Sequence, residues 1–225
     1  MSGSQYVHAL ALGLDPAWRR EAEQERCRSA EEFAGALTSE SEVTTFTYST
    51  IGLKAGVDLL LWSLSPSLDA LEESRALVLR SGMGVWMTVR HSFLGIIRPS
   101  QYVKRPTIQE QSLFSGERSR YLVVYPFTKS TDWYLLGSEE RQKVMNEHMK
   151  VGHRYQQVRQ LLAYSFGVDD MDFLVAYETD DLAAFGELVR ELRGTESRRS
   201  TVRDTPILTG IHRPIAEITG LLGAR

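Results

Sequence analysis

The sequence predicts an α+β protein, for three reasons. Segments of strand-like composition alternate with segments of helical periodicity, the order β-α-β-β-α-β occurs twice, and a polar stretch with two prolines, residues 98–117, separates the two copies. Each half is therefore expected to place an antiparallel sheet under two helices, with the free faces of the two sheets packed together. One large irregular sheet is the alternative.

The first copy of this order fills residues 1–97. Its first helix begins after Asp15 with a proline in the first turn, where helices favour proline, and Ser67 is a suitable N-cap for the second helix. The predicted strands contain many Thr, Val, Phe and Tyr residues. In chain order the elements are strand 6–12, helix 16–37, strands 43–51 and 57–64, helix 67–80 and strand 84–97.

The second copy fills residues 118–225, and its order is that of the split, ferredoxin-like β-α-β motif. A Gly167-Val-Asp-Asp turn separates its two middle strands. Apolar residues after His212 predict a short amphipathic helix that packs on a neighbouring subunit. The elements are strand 120–127, helix 138–155, strands 158–164 and 172–179, helix 181–192 and strand 205–210.

The composition excludes several classes of protein. A chain of 225 residues can bury about 70% of its unfolded surface, and 42% hydrophobic with 24% charged residues is ordinary for a globular protein. The net charge of −3 disfavours nucleic-acid binding. One cysteine, Cys27, excludes a disulfide within the chain. Neither a membrane-length apolar run nor a leader pattern at residues 1–5 is found, so we expect a cytoplasmic protein.

His148 is the first candidate site residue. It shares one helical stripe with Val144, Val151 and Tyr155, so its imidazole is expected to face inward. A lone inward imidazole can be the axial ligand of a porphyrin iron. The same spacing is also consistent with a histidine buried in the core that makes one hydrogen bond. His153, five residues later, is expected to be exposed.

A set of motifs is spread over residues 121–210. They are Tyr121-Leu-Val-Val-Tyr-Pro-Phe-Thr-Lys129, Trp133-Tyr-Leu-Leu, Glu139-Glu-Arg, Glu147-His148, Val158-Arg-Gln160 and Ser165-Phe-Gly-Val-Asp-Asp170. Together they resemble the chlorite dismutase family, and within it the branch of the coproheme decarboxylases. The first half matches only in the order of its elements. The resemblance implies two ferredoxin-like halves of the dimeric α+β barrel type, assembled as a homopentamer.

The resemblance also implies a haem site in the second half. The family's proximal haem ligand falls on His148, and the carboxylate that hydrogen-bonds the outer nitrogen of this ligand falls on Glu196. Such a partner raises the basicity of the imidazole and orients it. Trp133, in the matching Trp-Tyr motif, is expected to contact the cofactor. If the resemblance to the family is left aside, Glu196 is expected to be an ordinary acidic residue on the surface.

Two further residues are implied at the propionates of the porphyrin. Tyr125 falls on the family's redox-active tyrosine, whose radical can take hydrogen from a propionate so that the carboxyl group leaves as carbon dioxide. Lys129 falls on the lysine that accompanies it, and its ammonium can pair with a propionate. The alternatives are that Tyr125 is an aromatic residue packed in the sheet and that Lys129 is a solvated loop lysine.

The residue above the iron distinguishes the branches of the family. Chlorite-degrading members have an arginine at the position of Gln160, and the neighbouring Arg159 is expected to point to the other face of the strand. Because loss of one donor to a developing oxyanion costs about 2.7–4 kcal/mol, efficient chlorite breakdown is disfavoured. Glutamine is what the decarboxylases of one large branch carry.

The sequence departs from those decarboxylases in the length of two segments and at two propionate-binding positions. The loop before the Trp-Tyr motif and the segment before the distal glutamine are shorter. The family's propionate-binding arginine and serine fall near Gln111 and on Pro206, so Lys104 and Arg203 are expected to substitute.

The expected function is peroxide-dependent decarboxylation of coproheme to haem b in haem synthesis, with coproheme as both substrate and cofactor. The alternatives are a chlorite dismutase or weak haem peroxidase, a non-catalytic haem-binding or sensing protein, and a structural ferredoxin-like oligomer. The expected partners are coproheme, hydrogen peroxide and further copies of the chain. Neither a phosphate-binding loop nor a catalytic triad is indicated.

Overall fold

The fold is mixed α+β with antiparallel sheets, which agrees with the predicted class. A computed structural model describes residues 5–39, 42–98 and 117–224. Strands are numbered β1 to β9 and helices α1 to α6 in chain order. Among the residues described, no helix is both long and apolar enough to cross a membrane.

The chain divides into two compact units. Unit 1 comprises Met1–Ile97 and Thr209–Arg225, and unit 2 comprises Arg98–Leu208. The sequence prediction had assigned residues 209–225 to the second half, whereas their contacts place them in unit 1. The predicted connector 98–117 lies outside the described residues except at its two ends.

Unit 1 is an antiparallel sheet with helices on one face. Its elements are β1 Gln5–Leu14, α1 Glu23–Thr38, β2 Thr44–Lys54, β3 Val57–Ser65, α2 Leu68–Arg80, β4 Met87–Ile97, β9 Leu208–His212 and α6 Ile215–Thr219. The strand order is β4-β1-β3-β2-β9. Ser67 caps α2 as predicted, because its side chain accepts a hydrogen bond from the amide of Ala70.

Alternation along the strands builds the core of unit 1. Leu10 of β1 and Leu61 of β3 are opposite one another, and both pack with Phe33 of α1. Each such buried side chain contributes about 1.5–3 kcal/mol. Gly82, which follows α2, has φ of +50°, and a Cβ there would lie 2.1 Å from the carbonyl oxygen of Ser29. The turn that closes this core therefore requires glycine.

Unit 2 repeats this arrangement. Its elements are β5 Tyr121–Lys129, α3 Thr131–Leu135, α4 Ser138–Gly152, β6 Arg159–Tyr164, β7 Phe173–Thr179, α5 Leu182–Leu192 and β8 Thr201–Arg203, with a 3₁₀ turn at Glu196–Ser200 before β8. The strand order is β6-β7-β5-β8, again antiparallel. The predicted turn at Gly167 is present, with φ of +67°. The short elements α3 and β8 were not predicted.

Two predicted elements are interrupted in the structure. The helix predicted over residues 16–37 is a 3₁₀ turn, Pro16–Arg20, followed by α1, because Glu21 and Ala22 are extended between them. The strand predicted over residues 205–210 is wrong at its start. Pro206 cannot donate to a strand ladder, and the pairing resumes only at Leu208 in β9.

The C-terminal segment, residues 215–224, does form a short helix as predicted, but most of its large apolar side chains face inward. Ile215, Ile218 and Leu222 are buried in the core of unit 1 with Trp18 and Phe33. Their own unit satisfies the apolar face of this helix. These three side chains are therefore not available to a neighbouring subunit, whereas Leu221, the fourth predicted contact residue, is 59% exposed, and its packing on a neighbour stays a prediction.

Candidate functional site

One face of the unit 2 sheet carries the predicted site residues of β5 and β6. Paired residues of antiparallel strands share a face. We call this surface the aromatic face, and its three rows across β6, β7 and β5 are Gln160–Tyr177–Val123, Leu162–Val175–Tyr125 and Tyr164–Phe173–Phe127. Helix α5 packs on it through Phe185 and Leu188. At β6 the face is open, since Gln160 is exposed and Leu162 is 40% exposed.

Tyr125 lies on this face as a protonated phenol. Its ring stacks on that of Tyr177 with 6.1 Å between centroids, and the two phenols are hydrogen-bond partners. Burial raises the pKa of Tyr125 well above its usual value, and Tyr177 and Asp204 act in the same direction, whereas Arg193 opposes them. The phenol therefore keeps its proton throughout the physiological range.

A cavity of about 330 Å³ opens at Tyr125. Its charged lining consists of Arg190, Arg193 and Asp204. Asp204 is already paired with Arg198 at 2.6 Å, and it lies 4.0 Å from Arg193. Arg193 and Arg198 thus share one carboxylate, whereas Arg190 is paired with Glu187. The excess of positive charge around Asp204 leaves the cavity suited to a further anionic group.

Lys129 lies at the end of β5 with its ammonium turned inward. Nζ donates to the carbonyl oxygen of Ser197 at 2.9 Å and lies 4.5 Å from the centroid of the Trp133 ring. Burial, and then the charge of Arg198, lower the pKa of Lys129 to about 8. The predicted residues Lys129 and Trp133 are therefore in direct contact, with Trp133 beneath the ammonium.

His148 lies on α4 with its Nδ1 3.0 Å from the hydroxyl oxygen of Ser197. Burial, and then the charge of Lys129, lower its pKa to about 4, although Glu147 acts in the opposite direction. The imidazole is therefore neutral near pH 7. Nε2 has no hydrogen-bond partner within residues 5–39, 42–98 and 117–224, so its lone pair is available if the proton is on Nδ1.

Helix α4 presents this histidine on a largely polar helix. The side chain of Glu140 accepts a hydrogen bond from the amide of Gly137 at 3.1 Å and so stabilises the first turn. Val151 and Tyr155, predicted on the stripe of His148, pack against the core of unit 2. The part of the predicted stripe from His148 to Tyr155 therefore faces the core of unit 2.

The predicted hydrogen bond between Glu196 and His148 is not present. The carboxylate of Glu196 lies 3.2 Å from Nε of Arg199, and the amide of Glu196 donates to Glu147 at 3.0 Å. Where the chain enters the 3₁₀ turn, Thr195 and Ser197 are buried and Glu196 between them is exposed. A hydroxyl replaces the expected carboxylate.

Arg159 and Gln160 point to opposite faces of β6, which confirms the prediction from strand alternation. The guanidinium of Arg159 donates to the carboxylate of Glu178 at 2.9 Å, and Glu178 is completely buried. Arg118 also pairs with Glu178, at 3.5 Å, so two guanidinium groups compensate this buried carboxylate. Arg159 is therefore held away from the aromatic face.

Arg203, one of the two predicted substitute propionate ligands, does not line the Tyr125 cavity. Arg203 pairs with Thr128, on the face of β5 away from Tyr125, and its guanidinium donates to the carbonyl oxygens of Thr205 and Asp170. Lys104, the other predicted substitute, lies outside the described residues.

Sequence reasoning missed three groups that the structure brings to the site: Ser197, Arg193 and Tyr177. Arg193 continues a helical stripe of α5 that begins at Phe185, spaced by four residues at Val189, and this periodicity was a usable signal. Tyr177 could have been found by pairing the predicted strands. The choice of Ser197 over Glu196 depends on the 3₁₀ turn, which no sequence pattern indicated.

Comparisons with known proteins identify the family of the chain. The chlorite dismutase family model matches residues 24–213. The coproheme decarboxylase of Mycolicibacterium smegmatis is 31% identical over 165 residues, which is 72% of this chain and 70% of that protein. A mutant chlorite dismutase from Candidatus Nitrospira defluvii superposes with a TM-score of 0.90 at 26% identity, covering 100% of this chain and 98% of that one. The chlorite dismutase of this organism in complex with imidazole gives 0.88 at 26% identity, with 100% and 97% covered. The chain therefore belongs to the chlorite dismutase family.

Proposed function

We propose that this chain is a coproheme decarboxylase that uses hydrogen peroxide to convert coproheme to haem b. The observation that carries this proposal is the division of Arg159 and Gln160 between the two faces of β6. Gln160 offers a neutral amide on the open aromatic face, while Glu178 holds Arg159 on the other. Arg159 is then unavailable to stabilise an oxyanion of chlorite. The mycobacterial relative, named as a coproheme decarboxylase, supports the same choice.

The residues present fit an iron porphyrin. His148 is uncharged near pH 7, which is the form of imidazole that binds iron. The open, largely apolar surface around Leu162 suits a flat macrocycle. We infer that His148 would hold the iron and that Gln160 and Leu162 would line the macrocycle. Bound iron would supply the reaction with peroxide that oxidises Tyr125.

Tyr125 would act on the propionates. Its phenol loses a proton and an electron and then takes a hydrogen atom from the propionate side chain, which restores the phenol. The propionate gives up a second electron and leaves a vinyl group as carbon dioxide departs. Hydrogen peroxide accepts the two electrons and two protons, one of them from solvent, and becomes water. Arg190, Arg193 and Lys129 would neutralise the carboxylates.

A turnover experiment tests this function. Coproheme and hydrogen peroxide are added to the protein, and mass spectrometry is expected to show the loss of two carboxyl groups in succession. Tyr125→Phe is expected to lower the rate at least about 100-fold, the lower range for loss of a positioned proton-transfer group. Tyr121→Phe, on the same strand and face, is the matched control. Full turnover by Tyr125→Phe, with coproheme bound, would refute the assigned role.

Chlorite breakdown is the second candidate, because the structural similarity is to chlorite dismutases. Oxygen evolution from chlorite, measured with an electrode, separates the two. Rapid evolution by the wild-type protein would favour the dismutase. A porphyrin absorption band without either product would instead indicate a binding protein.

We also infer that each unit is a ferredoxin-like half and that the chain assembles as a homopentamer. The first inference is supported by the strand order, which is the same in both units. In each unit the fourth strand lies beside the first strand, and the third strand lies between the first and the second. Light scattering of the purified protein tests the second inference. A mass equal to one chain would exclude the assembly.

A further inference from the structure

A chain of hydroxyl groups runs from His148 into the interior of unit 2. The Oγ1 of Thr195 lies 2.7 Å from the carbonyl oxygen of Leu192. It also lies 2.9 Å from the hydroxyl oxygen of Ser197, which in turn is 3.0 Å from Nδ1 of His148. Both Thr195 and Ser197 are buried, so water does not compete for these contacts.

The direction of every hydrogen bond in this chain follows from its inner end. A carbonyl oxygen carries no proton, so at 2.7 Å Thr195 must donate to Leu192. Thr195 has only one hydroxyl proton, hence Ser197 must be the donor in the contact between the two hydroxyls. The single proton of Ser197 is then used, and Ser197 can only accept from Nδ1 of His148.

We propose that Thr195 and Ser197 are positioning residues that hold His148 as its Nδ1–H tautomer and leave the Nε2 lone pair bare. This rests on the proposed function only for what Nε2 binds. In a neutral histidine one ring nitrogen carries the proton and the other accepts, so the partner of one nitrogen determines the state of the other. The hydroxyl chain thus presents Nε2 as a metal ligand before any porphyrin arrives.

The chain ends on a neutral carbonyl, and this sets its effect on the ligand. A carboxylate at Nδ1 would make the imidazole more basic, whereas the hydroxyl of Ser197 passes no negative charge to the ring. Lys129 adds to the difference, because its ammonium is bound to the carbonyl oxygen of Ser197 and places a positive charge, not a negative one, beside the hydroxyl chain. The hydroxyl chain therefore orients the imidazole without making it anionic.

Nitrogen NMR of the protein without porphyrin tests the proposal. A protonated ring nitrogen and a bare one have well separated ¹⁵N chemical shifts, and His148→Gln identifies the signals among the five histidines. We expect the wild-type protein at pH 7 to show Nδ1 protonated and Nε2 bare. In Thr195→Val the proton of Ser197 is released toward Nδ1, so the Nε2–H tautomer is expected to appear. Ser197→Ala is expected to give a mixture of both tautomers.

Two conservative variants complete the experiment. Ser197→Thr keeps a hydroxyl and is expected to restore the Nδ1–H tautomer. Ser200→Ala, in the same 3₁₀ turn, alters a side chain outside the hydroxyl chain and is expected to change nothing. A wild-type protein with Nε2 protonated, or the same tautomer in the wild type, Thr195→Val and Ser197→Ala, would overturn the proposal.

The proposal and the proposed function fail separately. The tautomer is read without porphyrin, whereas the function is read from coproheme turnover. A protein with the Nδ1–H tautomer that binds no coproheme would keep the hydroxyl chain and refute the decarboxylase. An active decarboxylase whose His148 carries its proton on Nε2 would refute the role of the hydroxyl chain and keep the proposed function.

Discussion

A buried imidazole and a buried guanidinium lie side by side in unit 1. Nε2 of His8 contacts the hydroxyl of Ser92 at 2.9 Å, and its Nδ1 has no partner among the described residues. Arg75 donates to the hydroxyl of Thr45 at 3.0 Å. Burial, and then the charge of Arg75, lower the pKa of His8 to about 4. His8 is therefore neutral in the folded protein at a pH where a solvated imidazole is protonated.

This arrangement predicts a loss of stability in acid. Because the folded pKa of His8, about 4, is below the ordinary value of 6.5, the unfolded chain binds more protons below pH 6.5, and the unfolding free energy falls with pH. The contribution of His8 is expected to fall by about 2 kcal/mol between pH 8 and pH 5. Urea denaturation of the wild type and of His8→Gln at both pH values measures this contribution. The unfolding free energies of the two proteins should converge by about 2 kcal/mol from pH 8 to pH 5.

The control for this prediction is His153→Gln, at an exposed histidine of unit 2. This variant makes the same change of side chain at a solvent-exposed position outside unit 1. Parallel curves for the wild type and His8→Gln would contradict the prediction.

At this scale the sequence predicted those site residues that follow a regular period. Alternation along a strand was enough to separate Arg159 from Gln160, and helical spacing was enough to turn His148 inward. Glu196 was wrong as the hydrogen-bond partner, because an irregular turn moves the inward position by one residue, to Ser197. Local geometry without a period is not visible in composition or spacing.

The C-terminal segment shows how one short element completes a core. Arg19 donates to the carbonyl oxygen of Leu222 at 3.2 Å, and Arg26 donates to that of Gly223 at 2.6 Å. These bonds anchor backbone groups at the end of the helix, while Ile215 and Ile218 fill the core. The segment is therefore part of unit 1 and not an appendage.

Two adjacent leucines of this segment allow a matched test. Leu222 is 2% exposed and Leu221 is 59% exposed. Leu222→Ala is expected to lower the unfolding free energy of unit 1 by about 2–4 kcal/mol, because it removes buried methyl groups and leaves a cavity. Leu221→Ala is expected to cost about 0.5 kcal/mol or less. Chemical denaturation followed by tryptophan fluorescence measures both, and equal effects would contradict the assignment of the buried side.

At the scale of elements, the prediction of a helix succeeded where an N-cap residue precedes a regular helical spacing of apolar residues. Asp181 caps α5 by accepting hydrogen bonds from the amides of Ala183 and Ala184, and the helix runs nearly as expected. The helix predicted over residues 16–37 is divided because Trp18 turns inward to donate to Ser29. Such a tertiary contact overrides local periodicity, and it cannot be foreseen from the segment alone.

At the scale of the whole chain, the two units have different roles in the proposed function. The site residues of β5, β6 and α4 all belong to unit 2. Added coproheme should therefore stabilise this unit through binding to its folded state, by about 2.7 kcal/mol at a concentration 100 times the dissociation constant. Unit 1 should gain stability only as far as its unfolding is coupled to that of unit 2.

Thermal unfolding followed by circular dichroism measures this effect. The wild-type midpoint is expected to rise with coproheme concentration, and His148→Ala is expected to lose most of the rise. His153→Ala serves as the control for loss of a histidine on the exposed side. A rise in His148→Ala equal to that of the wild type would show that coproheme is bound elsewhere.

The inclusion of residues 209–224 in unit 1 affects the order in which the protein is completed during synthesis. Domains usually fold as units, with the N-terminal one first as the chain leaves the ribosome. Here β9 pairs with β2 and Ile218 enters the core only after all of unit 2 has been translated. Unit 2 can thus become complete while unit 1 still lacks an edge strand and part of its interior. Until then the nascent N-terminal half has an open sheet edge and exposed apolar surface. Chaperone binding is expected to protect it most at that stage.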